Sequence, residues 1–177
     1  VLFRSLENLA DSYDGYRLAK IDGLTGDQNG DIYVGSPHTA TLYKINSEAG
    51  KLTIINEDLV RSNDFAIDDG DRLVVAESAP DRLVVYDLNH TNDSTIGWNL
   101  VTFPHQSGSP ISLDFIDQKF RYLAVLTGGG ETIQIFDLLS GEMRRRIQLT
   151  DASMRIRCHD GWFYLQSDQG IYRRRIP

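Results

Sequence analysis

The sequence predicts an all-β protein: a β-propeller with about four four-stranded blades. Three observations carry this. Short runs rich in Val, Ile, Tyr and Phe recur along the 177 residues, each bounded by Gly, Asp, Asn or Ser. Asn29-Gly30, Asp69-Gly70 and Asp160-Gly161 each separate the first run of a unit from the second, as tight hairpins require. Gly30 and Gly70 lie 40 residues apart, and Gly70 and Gly161 lie 91 apart, one unit and then two. A period of roughly 40–45 residues is that of a propeller blade. No long 3.6-residue periodicity is present, which excludes a helical solenoid. An antiparallel sandwich is the alternative, since it also uses short, evenly spaced strands.

The chain opens Val1-Leu2-Phe3-Arg4-Ser5, which reads like the translated end of a sequencing adapter and is set aside as non-native, leaving 6–177 as a partial propeller. The first blade, about 22–57, holds Ile32-Tyr33-Val34, Leu42 to Asn46 and Leu52 to Ile55. The second, 62–104, holds Phe65 to Asp68, Leu73 to Ala76, Leu83 to Asp87 and Trp98 to Val101. The third, 109–150, holds Ser112 to Phe115, Tyr122 to Leu126, Thr132 to Asp137 and Arg145 to Leu149. The last, 152–177, has three runs: Met154 to Arg157, Trp162 to Leu165 and Ile171 to Arg174.

Composition narrows the function. With 18 basic against 25 acidic residues the net charge is −7, which argues against a nucleic-acid surface. No run reaches the roughly 18–20 apolar residues of a membrane span. The single cysteine, Cys158, excludes an internal disulfide framework and a cysteine-rich zinc site. Cys158 itself reads as a small buried hydrophobe.

In a propeller the first strand of each blade lines the central channel and the second runs antiparallel to it. The starts of first strands and the ends of second strands therefore share one end of the channel. Asp22, Asn63, Asp64, Ser109, Ser112 and Ser153 fall before or at first strands; Ser36, His38, Glu77, Ser78 and Thr127 follow second strands. Asp, Asn and Glu supply hard oxygen ligands, which suit Ca²⁺ or Mg²⁺, with flexible loops favouring Ca²⁺. Asn63, Asp22 and Glu77 are the candidate metal ligands, and Asp64 and His38 the candidate bases. The same Asp and Asn residues also serve as turn formers that bond their own backbone.

Two segments carry a family resemblance. Asp22-Gly23-Leu24-Thr25-Gly26-Asp27-Gln28-Asn29-Gly30-Asp31-Ile32-Tyr33-Val34, and Arg61-Ser62-Asn63-Asp64-Phe65-Ala66-Ile67-Asp68-Asp69-Gly70-Asp71-Arg72-Leu73, resemble patterns of the SMP-30/gluconolactonase group of six-bladed propellers, within the calcium-dependent phosphotriesterase-like superfamily. The resemblance implies a divalent metal in the channel, Ca²⁺ foremost, a small-molecule substrate, and hydrolysis of lactones or related esters. It places Asp22 and Asn63-Asp64 on the family's motif positions. Ser62 stands where the pattern has Pro, Phe65 where it has Gly, and neither an early Glu-Gly-Pro nor a later Asn-Gly element is present. These departures favour the alternative, a non-catalytic propeller that binds a protein or small ligand.

The remaining features are weaker. The four histidines, His38, His90, His105 and His159, show no metal or catalytic spacing. Gly128-Gly129-Gly130 lacks the Lys-Ser/Thr of a phosphate loop and reads as a turn. The triplets Arg144 to Arg146 and Arg173 to Arg175 split between two sheet faces and read as outer-strand solvation and edge protection. Two N-glycosylation sequons, at Asn89 and Asn92, lean towards secretion.

Overall fold

A computed structural model describes residues 12–13, 16–18, 20–36, 38–46, 48–89, 97–104, 108–117 and 119–177. The adapter-like residues 1–5 and the sequon at Asn92 lie outside these. After a short ladder of β1 (Ser12–Tyr13) with β2 (Tyr16–Arg17), the described strands form four antiparallel sheets in chain order. Blade I is β3 (Asp22–Gly26), β4 (Ile32–Ser36), β5 (Thr41–Ile45) and β6 (Leu52–Asn56). Blade II is β7 (Ser62–Ile67), β8 (Arg72–Glu77), β9 (Arg82–Asp87) and β10 (Trp98–Thr102). Blade III is β11 (Ser112–Phe115), β12 (Tyr122–Thr127), β13 (Thr132–Asp137) and β14 (Met143–Gln148). Blade IV is β15 (Arg155–His159), β16 (Trp162–Ser167) and β17 (Gly170–Arg175). The propeller arrangement is as the strand runs predict, with three blades of four strands and a fourth of three, matching the three runs read in 152–177.

The hairpins follow local chemistry. Asp160 and Gly161 both take positive φ, +48° and +77°, the two-residue turn whose twist suits a hairpin. In blade II the left-handed position falls on Asp71 (φ +56°) instead of Gly70. In each of blades I, II and III the turn between the first two strands is pinned by an aspartate one or two positions past the first strand. Asp27 accepts from Asn29 and Asp31 N–H, Asp68 from Gly70 and Arg72 N–H, and Asp117 from Arg121 and Tyr122 N–H. These carboxylates replace the backbone partners a turn leaves unpaired.

The core lies between successive blades. Leu73 and Val75 of β8 pack with Tyr33 and Leu42 of blade I; their neighbours Val74 and Ala76 pack with Leu123 and Val125 of blade III. Ala124 and Leu126 of β12 then pack with Phe163 and Leu165 of blade IV. Middle blades are therefore buried on both faces, which is why their strands are continuous apolar runs and not alternating ones. Each such Leu or Val contributes about 1.5–3 kcal/mol by leaving water.

The end blades differ. Leu24 of blade I and Tyr172 of blade IV are largely exposed, and Ile171 on the β17 edge is 79% exposed. The C-terminal basic triplet splits as expected for a strand. Arg173 and Arg175 both stack on Trp162, whereas Arg174 donates to the Gln148 carbonyl. Asn89 sits exposed just after β9. Among the described residues no helix is long and apolar enough to cross a membrane.

Candidate functional site

The inner strands β3, β7, β11 and β15 stand side by side, each packed on the next. Their C-terminal ends surround a cavity of about 520 Å³. The last residue of every inner strand lines it: Gly26, Ile67, Phe115 and His159. This volume lies within the range of small-molecule pockets. Apolar walls come from Leu24, Phe65 and Phe120, the last in edge-to-face contact with Phe115 at 5.3 Å. Polar groups come from Asp114, Asp117, Arg157 and Asp160.

Asp114 is the chemically distinct member. Its carboxylate accepts from Phe115 N–H at 2.9 Å and Cys158 N–H at 2.7 Å. Burial nevertheless pushes its pKa above the ordinary aspartate value, against those two bonds and the pull of Arg157. Cys158 beside it has its thiol pushed up, first by burial and then by the Asp114 charge. Asp114 is thus a largely desolvated carboxyl with a raised pKa, lining a cavity able to hold a small molecule.

The five residues singled out from sequence lie at the opposite end of the inner strands. Asn63 and Asp64 are adjacent in β7, and Glu77 in β8 pairs with neighbouring Ser62. Asp22 begins β3 and is exposed; His38 is exposed in the turn between β4 and β5. Glu77 is fully buried, accepting from Val60 N–H at 2.9 Å and from Arg82 Nε at 2.6 Å. The Asn63 side chain donates to the Pro110 carbonyl at 2.7 Å.

Asp64 is the best-connected of them. Fully buried, it accepts from the Ser112 hydroxyl at 2.5 Å and from Leu113 N–H at 3.2 Å, both on β11. Arg157 on β15 grips it with two nitrogens, at 2.8 and 3.1 Å, and Arg155 stands 3.4 Å away. Asp64 therefore ties β7 to β11 and β15. Arg157 has its pKa raised, principally by the Asp64 hydrogen bonds.

The two buried carboxylates at this end, Asp64 and Glu77, do not fit a divalent cation as they are arranged. A cation on Asp64 would face two guanidiniums already touching that carboxylate. Like charges about 4 Å apart repel by roughly 4 kcal/mol per unit pair at a surface-like dielectric, and a dication doubles this. Glu77, the other buried carboxylate here, has one oxygen on a backbone N–H and the other on an arginine. Among the described residues no three carboxylate, imidazole or thiol groups converge as a metal cluster.

Sequence reading missed Arg155, Arg157 and Asp114. The signal was present: two arginines two residues apart in an inner strand share one side, and an inner strand carries charge only where that charge is paired.

No protein-family profile matches the chain, and no curated protein sequence matches it. Solved structures do. A protein named as a candidate gluconolactonase superposes with a TM-score of 0.77 at 16% identity, over 94% of this chain and 62% of its own. A gluconolactonase from Xanthomonas campestris gives 0.78 at 14% identity, over 95% and 60%. The computationally designed Ika4 protein gives 0.67 at 18% identity, over 98% and 100%. The fold is a propeller of the gluconolactonase type, and the chain spans about three-fifths of the length of the two gluconolactonase structures.

Proposed function

We propose that this chain forms the ligand-binding part of a gluconolactonase-type propeller and takes a small molecule into the cavity at the C-terminal ends of the inner strands. One observation carries this reading: all four inner strands contribute their final residue to the same cavity of about 520 Å³. Aromatic walls would hold the body of the ligand, and Asp114 and Arg157 would meet its polar groups. Spanning 60–62% of the gluconolactonase structures agrees with four blades of a six-bladed ring.

The test is ligand-observed NMR with glucono-δ-lactone, gluconate and phenyl acetate. Binding of one of them, weakened tenfold or more by Leu24→Trp at the exposed cavity rim, supports the reading. No binding, or binding indifferent to Leu24→Trp, removes it.

A second reading is favoured by the likeness in fold to gluconolactonases: hydrolysis of lactones or related esters with a divalent metal, Ca²⁺ foremost. Asn63, Asp22 and Glu77 would be the ligands and Asp64 or His38 the base. It requires Asp64 to part from Arg157 and Glu77 from Arg82. Lactone hydrolysis that appears with CaCl₂, disappears with EDTA and is lost in Asn63→Ala would establish it; turnover indifferent to both additions would end it.

A further inference from the structure

We propose that Arg155 and Arg157 occupy the place of a cation at the channel end where Asp64 lies, so that the positive charge neutralising this carboxylate is built into β15. The resemblance read from Asn63-Asp64 implies a metal here; the side chains present a different solution. Asp64 is 0% exposed, and a carboxylate so buried must be paired or neutralised. The chain supplies it with partners, beginning with the Phe65 N–H next to it. The Ser112 hydroxyl and Leu113 N–H come from β11, and Arg157 and Arg155 from β15.

Arg157 is held for this role. Besides its two bonds to Asp64, Nη1 donates to the Leu113 carbonyl at 3.2 Å and to the Ile156 carbonyl at 2.8 Å. The planar guanidinium matches a carboxylate through two parallel bonds, a geometry neither lysine nor a bare ion reproduces. Arg155 covers the remaining approach and donates to the Asn63 carbonyl oxygen at 3.4 Å, an oxygen that could otherwise serve a hard cation. The Ser112 hydroxyl completes the hub by accepting from Ile156 N–H at 3.1 Å. Two carboxylate oxygens and a backbone carbonyl thus converge, as they would around a metal, but on guanidinium nitrogen.

Two consequences separate this from an ordinary metal-dependent propeller. The wild-type chain should be indifferent to calcium, and removing the arginines should create a calcium response where none existed. The experiment is thermal melting in 5 mM EDTA and in CaCl₂ up to 10 mM, with terbium luminescence as an independent probe of binding. The wild type is expected to melt within 1 °C of the same midpoint in both and to bind no terbium. Arg155→Ala/Arg157→Ala is expected to melt lower in EDTA. Calcium should recover about 3–6 °C at tenfold excess over its Kd. Asp64→Asn in that background should abolish the recovery.

Calcium stabilisation of the wild type that is lost in Asp64→Asn overturns the proposal. So does a folded double variant with no calcium response. If the double variant does not fold, the wild-type melts and terbium titration decide alone, and binding in either that depends on Asp64 refutes the assignment. None of these outcomes involves a ligand of the cavity.

Discussion

Phe65 offers the sharpest test of how blades I and II fit together. Its ring is 2% exposed and lies between the sheets, against Gly23 of β3 and Gly35 of β4. A methyl group at position 35 would overlap the end of the ring and stand 2.6 Å from the Ser62 hydroxyl. The backbone at Gly35 does not have positive φ, so the objection to alanine is space alone. Phe65→Ala should cost about 3–5 kcal/mol through lost burial and the cavity left behind. Gly35→Ala should cost about 1–3 kcal/mol by overpacking. In the double variant the new methyl enters the space the ring vacates. The Ser62 hydroxyl, which must rotate aside, is then the remaining obstacle and offsets the usual gain from restricting the unfolded chain, so Gly35→Ala should be about neutral. The two changes should therefore couple by roughly 1–3 kcal/mol. Urea melts followed by Trp98 and Trp162 fluorescence, fitted with a shared m-value, give all four corners of the cycle. Additivity within about 0.5 kcal/mol would refute the packing argument.

Three further outcomes are expected. Ser62→Ala should stabilise the protein by about 0.5–1 kcal/mol in the same urea assay, because the Ser62 hydroxyl is buried without a hydrogen-bond partner; destabilisation would mean that oxygen is satisfied in solution. Asp114 has a raised pKa in the folded state. Between the ordinary aspartate range and that raised value the folded chain keeps a proton the unfolded chain has released. Wild-type stability relative to Asp114→Asn should therefore fall as pH rises through and above the ordinary aspartate range, and a flat or rising difference contradicts it. Burial holds the Cys158 thiol well above the usual range. Its reaction with iodoacetamide at pH 8 should run about a hundredfold slower than for a free cysteine and recover in urea; rapid native labelling would show the thiol is accessible.

Much of the fold was legible because blades obey local rules. The runs at Leu73 to Ala76 and Tyr122 to Leu126 are apolar at every position, which is what burial on both faces demands. The Asp160-Gly161 hairpin was readable from two residues. The site was less legible, for reasons of range. Asp64 and Arg157 are 93 residues apart, and nothing local to Asn63-Asp64 reveals that a guanidinium rather than a metal meets the carboxylate. Oxygen donors at strand starts look alike whether they bind an ion, an arginine or their own turn. The cavity was hidden for a further reason. Gly26, Ile67, Phe115 and His159 share no chemistry, only their position at the ends of inner strands.

The reach of Asp64 also divides the molecule unequally. Its carboxylate binds blades III and IV and, among the described residues, makes no bond to blade I, which meets blade II through apolar packing around Phe65. Sheets that touch only their neighbours open in sequence from the ends, and a bond that skips across two interfaces merges the units it spans. Blades II to IV should consequently exchange their amide protons as one cooperative block. Blade I should open first and alone, at a lower free energy, carrying Asp22 and His38 away while the arginine hub stays closed.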